Sequence, residues 1–251
     1  TFEALGKITH IEEDRLLDMM EKLLDTGLIE EKLIRGEEVY SFADIIIRDV
    51  VHEEVSLLRH KKIHNTIGSN LEELYAKKVD EHLGEIAYHF LEGGNEDKAL
   101  EYCLKAGERA EQVYAHGDAT SYFQLALELL EGEGGKLRER GSVLERLGDI
   151  KKLVGEYEAC LKYWDEALPL WAQLKEKKRI AAVHTKMANV LWDIMRNMEK
   201  AKEHHTEALQ ILETEPKSIE LANLYNDMAY MWASLGIKDA AKALPWTEKA
   251  L

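Results

Sequence analysis

An Ala-Leu pair recurs along this chain at a nearly fixed step, and no other feature limits the possible folds as tightly. The pairs are Ala126-Leu127, Ala167-Leu168, Ala208-Leu209 and Ala250-Leu251, spaced by 41, 41 and 42 residues. Seven residues before each Ala sits another small side chain: Ala119, Cys160, Ala201 or Ala243. Four residues after that come Phe123, Trp164, His205 or Thr247. Offsets of four and seven fall on one face of an α-helix, so each block supplies a small-large-small stripe. A fixed period of this length points to stacked supersecondary units, none of which buries its apolar face alone.

A further helix precedes each stripe. Gly107, Gly148, Ala188 and Ala229 lie 12, 12, 13 and 14 residues before the first small position, which fits a helix, a short turn and a helix. A small residue there predicts a place where two backbones approach closely. Gly155 and Gly236 separate the helices of their blocks, Gly117-Asp118 is expected to end one helix and cap the next, and Ser218 is expected to cap another. One earlier unit, Ala87, Ala99, Cys103 and Ala106, surrounds the turn Gly93-Gly94-Asn95. Its step from Ala99 to Ala119 is 20 residues, too short for a hairpin, so one helix over 96–115 is expected to serve two hairpins. The linker EGEGGK at 131–136 then interrupts the array.

Five registers of one stripe resemble tetratricopeptide repeats, in a longer form of about 40 residues per unit. The match covers residues 81–251, and LERLGDIKKLVGEYEACLKYWDEAL at 144–168 is its best instance. The resemblance implies a mainly α fold, a solenoid of helical hairpins. Composition agrees, with 45% apolar and 32% charged residues and three prolines to interrupt helices. Pro245 departs from the pattern, falling just inside the last helix. The chain also stops at an Ala-Leu pair without a polar capping helix, so the array is expected to continue.

Residues 1–80 read as a different domain from 81–251. Residues 2–8 suggest a short helix, and Ile11, Leu16, Leu17, Met20, Leu23 and Leu24 fall at helical spacing. Gly27 stops that helix, 28–34 reads as a strand, Arg35-Gly36-Glu37 turns, and 38–42 returns as a second strand. Helix, helix and two-stranded wing is the order of a partial winged-helix module whose first helix would precede residue 1.

Charge weighs against nucleic acid. Residues 1–80 hold 11 basic and 18 acidic side chains, and residues 81–251 hold 22 and 30, so neither part has the cation excess that phosphate backbones reward. The helix at 11–25 would be the DNA reader, yet it sets Glu12, Glu13, Asp14, Asp18, Glu21 and Asp25 against Arg15 and Lys22. A packing role is the better expectation.

The order Tyr40-Ser41-Phe42, then Ile46-Ile47-Arg48-Asp49, then Leu58-Arg59 with Lys62 and His64, resembles the winged-helix region of STAND-type signal-transduction ATPases. These include maltose-regulator-like and cyclase-associated ATPases, and the resemblance spans about residues 2–131. It implies a nucleotide-binding module upstream of this chain, holding ATP and Mg, with the repeats downstream receiving a protein, peptide or small-ligand signal. No cofactor is implied for the chain itself. The family has His where this chain has Asp44 and Tyr where it has His52, so no role is carried to those positions.

Catalytic readings do not survive inspection of spacing. His52-Glu53-Glu54 lacks a His four residues on, where Ser56 stands. His204 and His205 point about 100° apart on a helix, and His205 occupies the large position of a stripe, so no metal is expected. The run at 132–136 lacks the leading Gly and trailing Ser or Thr of a phosphate loop. Cys103 and Cys160 fill stripe positions and are expected to be buried, reduced thiols of a cytoplasmic protein. Trp164, Trp171, Trp192, Trp232 and Trp246 are expected at helix interfaces. No apolar run approaches the ~18 residues of a membrane span, and no secretory signal opens the chain.

The first helix of each hairpin should line a concave surface. Counting from Gly148, Ala188 and Ala229, the positions facing it are Glu145, Asp149, Lys152, Thr185, Asn189, Asn226 and Tyr230. Their amides suit a peptide backbone. The expected function is the interaction arm of a signalling ATPase. A DNA-binding transcription regulator and a passive scaffold are the alternatives. The stretch YSFADIIIRDVVHEEV at 40–55 is expected to leave the wing and continue as one helix over 43–57. Ile45, Ile46, Val50 and Val55 should pack there, while Arg48 and Asp49 make polar contacts at the domain border.

Overall fold

A computed structural model of the chain describes residues 1–34, 37–131, 135–216 and 218–233. It falls into two compact units, Thr1–Ala126 and Leu127–Leu251. The expected features at Arg35-Gly36, 132–134, Gly236, Ala243, Pro245, Trp246, Thr247 and Ala250-Leu251 lie outside the described residues.

The first unit begins with α1 (Phe2–Thr9) and α2 (Glu13–Asp25), followed by β1 (Ile29–Ile34) and β2 (Glu37–Phe42). Gly27 takes the left-handed conformation (φ 68) that lets the chain leave α2 and enter β1. The strands pair antiparallel, from Ile29 opposite Phe42 to Ile34 opposite Glu37. Leu16 and Met20 bury one side of α2, and its five carboxylates and the capping Glu12 remain exposed.

The helix expected over 43–57 is α3 (Ile45–Glu54), shorter by two residues at its start and three at its end, and α4 (Leu57–Leu74) follows it. Asp44 starts α3 by accepting from the Ile46 amide at 2.7 Å, and Val55 turns extended (φ −79, ψ 119) before Ser56 opens α4. The packing expected of α3 largely fails. Ile45, Ile46 and Val50 are exposed where α3 rests against β2, and only Val55 of the four is half-buried. Arg48 and Asp49 bond each other at 2.7 Å on the surface, which is ordinary solvated pairing.

Beyond the short 3-10 turn Val79–Glu81 come α5 (Leu83–Glu92), α6 (Glu96–Gln112) and α7 (His116–Glu131). The first unit runs past residue 80 because α4 packs on α5 and α5 on α6. α6 serves two hairpins as expected. It pairs with α5, while its Gly107 faces the Phe123 ring of α7, which a Cβ would meet at 2.7 Å. The turn between α6 and α7 sits at Tyr114 (φ 60) rather than Gly117-Asp118. The Ala115 amide reaches back to the Ala110 carbonyl at 2.9 Å and closes the helix early. Asp118 falls in the first turn of α7, where the helix dipole favours an acid.

The second unit holds α8 (Leu137–Leu153), α9 (Tyr157–Gln173), α10 (Lys177–Asp193), α11 (Met198–Leu212) and α12 (Ile219–Ala233), with Ser218 capping α12. α8 pairs with α9, α10 with α11, and α12 lies on α10 and α11. Cys160, Trp164, Ala167, Ala201, His205 and Ala208 are buried, as their stripe requires. At the glycines facing them, the nearest atoms belong to an aromatic ring. A Cβ on Gly148 would overlap the Trp164 ring, and one on Gly141 would meet Trp171 at 2.8 Å. Each glycine is the seat of an aromatic ring. At the corresponding positions of the next hairpin a larger small residue, Ala188, goes with a smaller ring, His205, and both are buried. The two sizes vary in opposite directions, as close packing requires.

Candidate functional site

α8, α10 and α12 hold the first position of successive hairpins, and polar side chains join them rung by rung. The buried Glu145 carboxylate of α8 meets Arg179 Nη1 at 3.3 Å and Lys186 Nζ at 3.6 Å, both from α10. One turn on, Asp149 accepts from Lys186 Nζ at 2.8 Å and from Trp164 Nε1 at 3.2 Å. Trp164 Nε1 also donates to the Glu145 carbonyl at 3.3 Å, tying the ladder to the core behind it. Arg179 lies over the Trp171 ring at 5.0 Å and Lys186 over Trp164 at 5.7 Å, so both cations serve a carboxylate and an aromatic face. Arg138 with Glu176, and Lys177 with Glu215 at 2.8 Å, add outer rungs.

Asn189 of α10 is fixed from two sides. Its Nδ2 donates to Asp227 Oδ2 of α12 at 3.0 Å, and its Oδ1 lies 3.4 Å from His205 Nε2. A carboxylate accepts and does not donate, so the amide must turn its NH2 towards Asp227. Its oxygen then faces His205, which must carry its proton on Nε2. His205 Nδ1 is buried without a partner. Burial, helped by the neighbouring His204, lowers the His205 pKa to about 4, so the ring stays neutral.

Of the seven residues expected on this face, Glu145, Asp149 and Asn189 are drawn into the ladder. Asn226 and Tyr230 stand exposed one turn apart on α12, Tyr230 at 64%, and Lys152 is exposed near the end of α8. Thr185 turns its hydroxyl to the Ala181 carbonyl of its own helix at 2.9 Å. Sequence reasoning missed Arg179, Lys186 and Asp227. Their signal is present as complementary polar residues 34 to 38 positions apart: Glu145 and Arg179, Asp149 and Lys186, Asn189 and Asp227.

The thiols offer little chemistry. Burial raises the pKa of Cys103 to about 11 and, with Asp149 adding, that of Cys160 to about 12. His184 and His204 share a hydrogen bond, Nδ1 to Nδ1, of 2.8 Å, and burial lowers the pKa of both. Among the described residues no three ligating groups converge as a metal site would require, and no helix is long and apolar enough to cross a membrane.

Comparison with solved structures settles the architecture. BtubC (BKLC) from P. vanneervenii superposes with a TM-score of 0.59 at 16% identity, over 81% of this chain and 83% of that one. A protein of Podosopora anserina described as a kinesin light chain with nearly identical TPR-like repeats gives 0.56 at 10% identity, over 78% and 96%. The fold is a tetratricopeptide-type helical repeat with a small two-stranded wing. RapI in its apo form gives 0.60 at 15% identity over 82% of this chain, which spans 56% of the RapI chain. No protein-family model matches the sequence, and no curated protein matches it.

Proposed function

We propose that the chain is a sensor and interaction arm whose repeats bind an extended peptide or protein segment, or a small ligand, on the face of α8, α10 and α12. The orientation of Asn189 carries this reading. Held by Asp227 and His205, its amide has one N–H left to offer, beside the exposed Asn226 and Tyr230. A preset amide and an exposed aromatic suit a peptide, because little side-chain freedom is lost on binding.

On this reading residues 1–80 are a partial winged-helix module of a STAND-type signalling ATPase in the cytoplasm. The exposed Leu33, Ile45, Ile46, Leu57 and Leu58 would seat against the nucleotide-binding module, which carries ATP and Mg. The chain itself binds and does not catalyse. The five exposed carboxylates of α2, with the capping Glu12, support packing over DNA contact.

The test is a displayed library of extended peptides selected against the whole chain, with affinities measured by fluorescence anisotropy. Asn189→Ala and Tyr230→Ala should each weaken a selected peptide by about tenfold or more. Lys162→Ala, at an exposed position of α9, should leave it unchanged. Failure to select any peptide, or affinities indifferent to Asn189 and Tyr230, would overturn the reading.

A further inference from the structure

Four histidines and a tyrosine of the first unit form a ladder of rings that the ligand-binding face does not use. His52 sits in the last turn of α3, His60 and His64 lie one turn apart on α4, and Tyr88 and His89 lie on α5. His52 meets His60 edge-on with centroids 6.2 Å apart, and His60 stacks on His64 at 4.3 Å. His64 then meets His89 at 5.0 Å and the edge of Tyr88 at 5.7 Å. Burial peaks at the middle of the ladder: His52 and Tyr88 are exposed, His60 and His89 are half-buried, and His64 is buried.

The contact between the two inner rings sets the protonation it tolerates. His64 Nδ1 and His89 Nδ1 are 3.3 Å apart, so one must carry a proton and the other a bare lone pair. Charging both rings removes that lone pair and sets two cations face to face. The stacked rings do not converge as metal ligands.

The surroundings give acid little compensation. Burial lowers the His64 pKa, and His60, His89 and His52 lower it further against the opposing charge of Glu92. Burial also lowers that of His89, against Glu85 and Glu92 of α5. α1 packs on α4 too, but its Lys7 and Glu3 bond each other at 2.8 Å. The far end of α4 is tethered by Glu72, which accepts from Lys98 at 2.6 Å and from Tyr102 at 2.8 Å. Burial works against the Glu72 carboxylate, yet bonds from Lys98 and Tyr102 hold its pKa below the ordinary value.

We propose that the ladder is a proton-operated joint: neutral, it holds the first half of α4 on α5, and mild acid opens that contact while Glu72 keeps the far end in place. Both inner rings bind protons more readily unfolded than folded. The joint is therefore secure above the ordinary histidine pKa of 6.5 and loosens as pH falls below it. The device lies wholly in the first unit and does not depend on what the repeats bind.

Hydrogen exchange of the whole chain, corrected for intrinsic rates and read by mass at about pH 7.5 and about pH 5.5, tests it. Protection of 57–68 and 83–92 should fall by about tenfold or more at the lower pH, with 69–74 falling less. In a His60→Gln, His89→Gln variant that fall should shrink severalfold, with residues 137–212 responding alike in both proteins. Should the pair not fold at the higher pH, His60→Gln alone at its half-exposed position should still reduce the fall. Equal protection at both pH values in the wild type, or an equal fall in the variants, would overturn the proposal.

Discussion

Residues 45–58 and 160–208 are both helical, both apolar-rich, and opposite in what they do with apolar side chains. In the first stretch Ile46 is 67% exposed and Leu58 82%. In the second, Cys160, Trp164, Ala167, Ala201 and Ala208 are wholly buried. Periodicity makes a helix amphipathic in both places. It makes a core where a ring on one helix meets a seat on its neighbour, as Trp164 meets Gly148. On α3 the apolar side chains Ile45, Ile46 and Val50 stay exposed instead.

The sharpest way to break this comparison is to empty the seat. Trp164→Ala should cost about 3–5 kcal/mol in denaturant unfolding, since it removes a buried ring and leaves a cavity. Leu58→Ala should stay within about 0.5 kcal/mol. Equal costs would abolish the distinction.

Acid should act on the second unit through His205. Its pKa is about 4 in the folded chain against an ordinary 6.5, so its contribution is complete above pH 6.5 and drains away as pH falls towards 4. The loss is on the order of 2–3 kcal/mol, and unfolding curves across that window should flatten for His205→Gln relative to the wild type.

Gly148→Ala should cost about 1–3 kcal/mol by pressing a methyl into the Trp164 ring. Combining it with Trp164→His copies the natural pair Ala188 and His205. The double variant should recover part of the loss, with a coupling of about 0.5–3 kcal/mol in a double-mutant cycle. Strict additivity would mean that seat and ring are not matched. The smallest effect is expected at Lys175, held at φ 57, where Lys175→Gly should stabilise by about 0.5–1 kcal/mol.

The repeats were legible because stripe residues alternate small and large at fixed offsets, and burial enforces that choice of size. The wing was legible from Gly27, which ends α2, and from the two short strand-like runs that follow it. The break at Val55-Ser56 falls just before the expected helix end at 57, because no Gly or Pro marks its exact place. The turn at Tyr114 was hidden for a related reason: a non-glycine residue carries the left-handed conformation while a glycine sits nearby. On the candidate face, a first helix read alone gave positions by spacing, and Glu145 among them is buried. Which of them were already bonded depended on partners a repeat away, such as Lys186 for Asp149 and Asp227 for Asn189.

The double service of α6 limits how this chain can be edited. Where each hairpin owns both its helices, a repeat can be duplicated, deleted or exchanged as a cassette. α5 and α7 both lean on α6, so no cut around α6 yields a whole unit. Excising 83–112 would strip Phe123 of its seat at Gly107, and a second copy of α6 would need a partner the chain does not supply. Cassette boundaries first become available at the α8–α9 hairpin, and the segment before it is inherited or lost as one piece.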